Sequence, residues 1–143
     1  LIAYPLVGPN LRRLAALAKK FPGTKFSALI DSPAGADGLA LAAANAGRPI
    51  GFLVDLDVGQ HRTGIAVGDS AVSLYAAAAK LPGLTPEGLH AYDGHNSVES
   101  RTDREAAARA GLAPVLEMRA ELERRGLPVP RVVAGGTPTF PVY

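Results

Sequence analysis

The run Phe52-Leu53-Val54-Asp55-Leu56-Asp57, closed by Val58-Gly59-Gln60-His61-Arg62-Thr63-Gly64, constrains this chain more than any other stretch. A short, nearly unbroken apolar run bounded by turn residues predicts a strand buried on both faces, as parallel sheets require. Ionisable groups at the end of such a strand are costly unless they meet a ligand or one another. In parallel α/β folds the carboxyl ends of the strands are where ligands sit. The stretch is therefore read as a strand delivering Asp57, Gln60 and Arg62 to a site. An Asp–Arg pair tying down the loop is the plainer alternative. Asp55 and Asp57 are expected to point apart and not to act as a carboxylate pair.

The same grammar repeats along the chain. Residues 1–7 read as a strand, and Asn10 is placed to cap a helix with Leu11, Leu14, Leu17 and Phe21 on its apolar face. Pro22-Gly23 stops that helix, and residues 25–30 form the second strand. Ser32 and Pro33 have the chemistry of an N-cap and a first helical residue, and Gly47 that of a C-cap. The third strand spans residues 50–57. Asp69 caps a further helix with Val72, Tyr75, Ala76 and Ala79 on one face. Residues 88–92 form a fourth strand, residues 102–125 a long helix, and residues 129–134 a fifth strand. Leu112, Val115, Met118 and Leu122 mark the buried side of the long helix, and Pro114 is expected to break or kink it near Leu112. Strand and helix alternate throughout, which is an α/β pattern with a parallel sheet. The unit length of about 25–30 residues matches a (β/α)8 TIM barrel, which needs about 250 residues in all. With 143 residues, the chain reads either as a small doubly wound sheet or as an internal fragment of about five βα units of a barrel.

Composition excludes several classes. The net charge of +2 argues for no nucleic-acid partner, and the arginines and glutamates of the long helix alternate as on a solvated face. There is no cysteine, hence no disulfide framework and no thiolate metal site. No apolar run approaches the ~18 residues of a membrane span, and no signal-peptide pattern is present. No membrane partner and a cytoplasmic location are the expectation.

Three clusters fall at carboxyl ends of expected strands and so face one rim. The first is Asp57 to Arg62. The second is His90, Tyr92, Asp93 and His95. The third is Gly135-Gly136-Thr137-Pro138-Thr139. Two glycines let backbone N–H groups approach an anion, and threonine hydroxyls add donors, so a phosphate fits the third cluster; a tight strand-to-helix turn is the alternative. Neither GxxxxGK[ST] nor GxGxxG occurs, and no HExxH or GxSxG, so standard nucleotide, zinc-protease and hydrolase chemistry is disfavoured. No metal site is expected within the chain.

Taken together, Asp57-Val58-Gly59-Gln60-His61-Arg62-Thr63-Gly64, Gly88-Leu89-His90-Ala91-Tyr92-Asp93-Gly94-His95 and Gly135-Gly136-Thr137-Pro138-Thr139-Phe140, with Ala3-Tyr4-Pro5-Leu6-Val7-Gly8 at the start, resemble the D-threonine aldolase and D-serine dehydratase family. These are fold-type III pyridoxal phosphate enzymes with an alanine-racemase-like barrel. The resemblance covers nearly the whole chain, in order. It implies a pyridoxal 5'-phosphate-dependent lyase that cleaves D-3-hydroxyamino acids to glycine and an aldehyde. A D-serine dehydratase or an amino-acid racemase on the same barrel stands as the alternative, and beside these a non-catalytic phosphate-binding α/β module. Within the family pattern Arg62 matches the arginine near the cofactor's phenolic oxygen and Tyr92 the rim residue beside its ring. Gly135, Gly136, Thr137 and Thr139 match the phosphate cradle. The resemblance also implies a small amino-acid substrate and admits a homodimer.

The family's Schiff-base lysine has no counterpart among Lys19, Lys20, Lys25 and Lys80, which are expected at the opposite end of the barrel from the rim. The expectation is that residues 1–143 form the middle of the cofactor-binding barrel domain. The first strand with its lysine, and a C-terminal β domain holding a divalent metal, would then lie outside the chain.

Overall fold

The computed structural model describes residues 1–143. Five parallel strands are hydrogen-bonded in sequential order: β1 (Ile2–Pro5), β2 (Ser27–Ile30), β3 (Ile50–Asp57), β5 (Leu84–Ala91) and β6 (Val132–Ala134). A two-residue strand, β4 (Ile65–Ala66), pairs with the end of β3. The helices α1 (Pro9–Lys20), α2 (Pro33–Ala46), α3 (Asp69–Ala78) and α4 (Arg101–Arg124) connect them, and a 3-10 turn, Phe140–Val142, closes the chain. The order does not reverse about β1, so the doubly wound alternative falls and the sheet is a parallel half-barrel.

Strand alternation sorts the side chains. Ala28, Ile30, Phe52, Val54, Leu56, Leu89 and Ala91 face the helices and join one core with Leu14, Leu39, Tyr75, Val115, Met118 and Leu122. The Tyr75 ring meets Phe52 at 5.2 Å between centroids, tilted by 60°. Its hydroxyl donates to the Pro128 carbonyl at 2.6 Å, so the one polar atom brought into this core is satisfied. Burial raises the Tyr75 pKa well above the usual phenol range. The alanines of α2 (Ala36, Ala42, Ala43 and Ala46 are all buried) let that helix lie close to the sheet.

Several local expectations are corrected. Helix α1 begins at Pro9, whose missing N–H costs nothing there, with Gly8 at the N-cap. Asn10 therefore lies inside the first turn, where its Oδ1 accepts from Arg13. The buried stripe of α1 is Leu14, Ala15 and Ala18 with Leu11 half-buried; Leu17 and Phe21 are exposed. That stripe follows the i, i+3, i+4, i+7 rule more closely than the expected set did. Helix α3 likewise takes Gly68, not Asp69, at its N-cap. Ser32 does cap α2, its Oγ accepting from the Gly35 N–H, and Gly47 ends it with φ 68°. Pro114 does not break α4, which runs unbroken over 24 residues. The carbonyl that Pro114 leaves without a donor belongs to Ala110; both residues are exposed, so water can serve it.

The fourth long strand starts at Leu84, earlier than expected, because it carries a bulge. Phe52 pairs with Pro86 but Leu53 with Gly88, leaving Glu87 as the extra residue. Pro86, unable to donate to a ladder, sits beside that irregularity. Glu87 reaches over Gly51 to Ser27 and Arg131, forming a polar group at the amino ends of the strands. Immediately after the bulge, Gly88 has φ 132°, and a Cβ there would collide with the Arg131 carbonyl, which accepts the Leu89 N–H. Gly88→Ala should therefore destabilise the protein by about 3 kcal/mol or more. Gly111→Ala, in the interior of α4 with open space around its Cβ position, should stabilise it by up to about 1 kcal/mol. Denaturant unfolding of the two variants of the full-length protein checks both signs.

Candidate functional site at the carboxyl rim

Because the strands are parallel, their carboxyl ends share one edge. Asp31, Asp57, Tyr92 and Gly135 follow or end β2, β3, β5 and β6 there, and Tyr4 lies near the end of β1. Asp55 and Asp57, two residues apart on one strand, share a face as strand periodicity requires; the expectation that they point apart is wrong. They still do not act as a pair, because each carboxylate is spent elsewhere. Asp55, 3% exposed, meets His90 Nδ1 at 2.6 Å through Oδ1, and accepts from the Thr63 hydroxyl at 2.8 Å through Oδ2. Asp57 accepts the Gly59 and His61 N–H groups, each at 3.0 Å, and meets the exposed His61 ring at 2.7 Å. His61 holds φ 53°, which this Asx-type turn imposes on it. The Gly64 N–H reaches Asp31 at 3.3 Å and ties the far end of the loop to β2.

The result for Arg62 is decisive. The plainer reading of the loop, an Asp–Arg tie, does not hold: neither acid pairs with Arg62, which forms no salt bridge in the chain. Its guanidinium carbon lies instead over two aromatic rings, 4.7 Å from the Tyr4 ring centre and 4.8 Å from that of Tyr92. In the sequence Tyr4 stood out only as part of the opening stretch, residues 3–8, that shares in the family resemblance, with no role of its own. Gln60 lines the same small recess as Asp55, Asp57, Arg62, Thr63 and Tyr92, and its Oε1 is buried without a partner. A buried acceptor left unpaired costs about 1–3 kcal/mol, which marks this recess as a place where a donor is wanted.

The second cluster divides. His90 is buried against Asp55 inside the half-barrel, while His95 is exposed and stands beside Gly59. The two histidines do not converge, and no three His, Cys, Asp or Glu gather anywhere in the chain. Tyr92 packs its ring edge against Gly94, where a side chain would collide with it.

The third cluster is a turn built on a buried acid. Asp93, 4% exposed, accepts the Gly136 N–H and the Thr139 hydroxyl through Oδ1, both at 2.6 Å, and the Tyr143 hydroxyl through Oδ2 at 2.8 Å. Burial and the Asp93 carboxylate push the Tyr143 pKa well above the usual range. Gly136 N–H and the fully buried Thr139 hydroxyl thus face Asp93, and only Thr137 of the expected donors is exposed. Gly135 is the residue with positive φ, 96°; Gly136 is needed for space, since a Cβ there would lie 2.9 Å from Gly94 Cα. The sequence singled out the turn but carried no sign that Asp93 organises it.

The arrangement defines a βα half-barrel with a polar recess at its carboxyl rim. The chain belongs to the alanine racemase N-terminal domain family, whose model matches residues 7–143. It is 34% identical over 132 residues to 3-hydroxy-D-aspartate aldolase of Paracoccus denitrificans (strain Pd 1222), covering 92% of this chain and 34% of that protein. It is 32% identical over 139 residues to D-threonine aldolase of an Arthrobacter species, covering 95% and 36%. The crystal structure of D-threonine aldolase from Filomicrobium marinum superposes with a TM-score of 0.87 at 32% identity, over 96% of this chain and 37% of that one. The chain thus spans about a third of the length of these relatives. No helix is long and apolar enough to cross a membrane.

Two outcomes follow from these contacts. Burial alone would raise the Asp57 pKa, but the N–H groups of His61 and Gly59 and the His61 ring outweigh it and hold the carboxyl below its usual 3.8. A depressed carboxyl pKa adds stability that is present above the unfolded value and lost as pH falls through the folded one. Unfolding free energy should therefore drop on acidification below about pH 4 less steeply in Asp57→Asn than in the parent protein. Asp93→Ala, which strands the Tyr143 hydroxyl and weakens the turn, should cost about 1–3 kcal/mol and speed hydrogen exchange at the Gly136 N–H, read by amide exchange.

Proposed function

We propose that the full-length protein is a pyridoxal 5'-phosphate-dependent lyase that cleaves D-3-hydroxyamino acids to glycine and an aldehyde. One observation carries this reading: Arg62 is held at the strand-end rim with both neighbouring acids already spent, so its donors are left for an anionic ligand. The identity of 32–34% to two D-3-hydroxyamino-acid aldolases, over more than nine-tenths of the chain, supports the substrate class.

The residues present suit the cofactor. Thr137, exposed on a turn that Asp93 holds in shape, offers an N–H and a hydroxyl to a phosphate, while Gly135 and Gly136 let that turn pack closely against Tyr143 and Gly94. Thr139 serves from beneath, through Asp93 and Gly136, and does not face the ligand. Tyr92 gives a flat wall for the pyridine ring. Arg62 offers donors to its phenolic oxygen or to a substrate carboxylate, and Gln60 has an acceptor free for a ligand N–H or O–H. When bound, pyridoxal phosphate supplies an electron sink for the carbanion left by bond cleavage. The chain's own part is to bind and orient.

Lys19, Lys20, Lys25 and Lys80 are all exposed, at the ends of α1 and α3 or just before β2, on the side away from the rim. In this reading residues 1–143 are the middle of the cofactor domain. The lysine that joins the cofactor, and any divalent metal, then fall to residues outside this stretch.

The test is to incubate the full-length protein with pyridoxal phosphate and D-threonine or 3-hydroxy-D-aspartate and to measure glycine. Glycine release that falls at least 100-fold in Arg62→Ala, with unfolding unchanged, is the expected result; such a loss is about 2.7 kcal/mol of transition-state stabilisation. A keto acid with ammonia, or racemised substrate, in place of glycine would overturn the aldolase reading.

A further inference from the structure

Arginine is commonly fixed in a site by a carboxylate, and here that means is absent although Asp55 and Asp57 lie close by in sequence. We propose that Tyr4 is a positioning residue for Arg62: with Tyr92 it clamps both faces of the guanidinium and leaves the edge donors turned to the ligand. This inference rests on the reading of Arg62 as a ligand-binding group.

The argument is geometric. Tyr4 lies on β1 and Tyr92 just beyond β5, with β2 and β3 between them in the sheet. Strands spaced about 4.8 Å apart would separate two such positions by about 14 Å on a flat sheet. Yet both ring centres lie close to one guanidinium carbon, one at 4.7 Å and the other at 4.8 Å. The two side chains therefore converge across the concave side of the half-barrel, over the loop that follows β3. A guanidinium is planar, with its five N–H donors in the plane, so rings on its faces do not compete for those donors. A carboxylate partner would have occupied them. The aromatic clamp fixes orientation and leaves hydrogen-bonding capacity whole.

Tyr4 is 51% exposed, so its loss removes little core packing. A single cation–π contact at such a site is worth a few-fold in an equilibrium constant. By that measure Tyr4→Leu in the full-length protein should weaken pyridoxal phosphate binding about two- to tenfold, read by equilibrium titration. Tyr4→Phe, which keeps the ring, should restore most of that affinity. In an Arg62→Ala background Tyr4→Leu should change nothing further. Without any ligand, the Arg62 Nε–H proton should carry an upfield ring-current shift that Tyr4→Leu reduces and Tyr4→Phe retains. An equal loss of affinity with Arg62 present and in the Arg62→Ala background would overturn the clamp, as would an Nε–H shift indifferent to Tyr4→Leu. A ring-dependent shift in a protein that binds no pyridoxal phosphate would uphold the clamp and sink the cofactor reading instead.

Discussion

A carboxylate buried inside a sheet is tolerated only when its lone pairs are engaged, and Asp55 is the point on which the rim depends. One oxygen meets His90 on the neighbouring strand and the other the Thr63 hydroxyl in the following loop. The neighbouring strand and the following loop are thereby both fixed to one buried carboxylate. Thr63 is adjacent to Arg62, so the bond that satisfies Asp55 also sets where the Arg62 backbone leaves the sheet. Leu53 below and Asp57 above could not do this, the first having no polar side-chain atom and the second being committed to its own turn.

Asp93 repeats the device one strand further on. There the buried carboxylate draws in the Gly136 N–H and two hydroxyls, and so folds the last turn of the chain back against the end of β5. Asp57 and Asp93, which the sequence placed in the rim clusters, are thus structural, as Asp55 is, and their engagement is what leaves the Arg62 guanidinium without an acidic partner. The rim is polar because its charges are sorted into those that hold and those that are held in reserve.

Parallel pairing and the position of all three rim clusters were legible in the sequence, because apolar runs and Gly or Pro punctuation are local signals; the strand order was not, since the same alternation suits a doubly wound sheet, and only the family resemblance favoured the barrel. Ser32 and Gly47 were legible for the same reason, their capping chemistry being complete within a few residues. What escaped was whatever depends on a distant partner. Asp55 gave no hint that it would meet His90, 35 residues away, or Asp93 that it would meet Thr139, 46 away. Tyr4 and Tyr92 converge only because the sheet curls, and curl has no pattern in a linear chain. The start of β5 was hidden by Pro86, which normally argues against a strand and is allowed here only by the bulge beside it.

That bulge has a consequence for how such a chain can vary. Up to Phe52 and Pro86 the two strands run in step; after it, the extra Glu87 shifts β5 by one residue, so that Asp55 stands opposite His90 and not Leu89. Parity beyond this point is a counting matter. Deleting Glu87 would leave that pairing intact: Gly88 would follow Pro86 in a regular ladder, with Leu89 still opposite Val54 and His90 still opposite Asp55. What would go is the contact of Glu87 with Ser27 and Arg131 at the amino ends of the strands. The bulge is thus slack in the strand, the one place where β5 can lose a residue without exchanging the lining of the site for the lining of the core; a residue lost or gained between Gly88 and Tyr92 has no such relief.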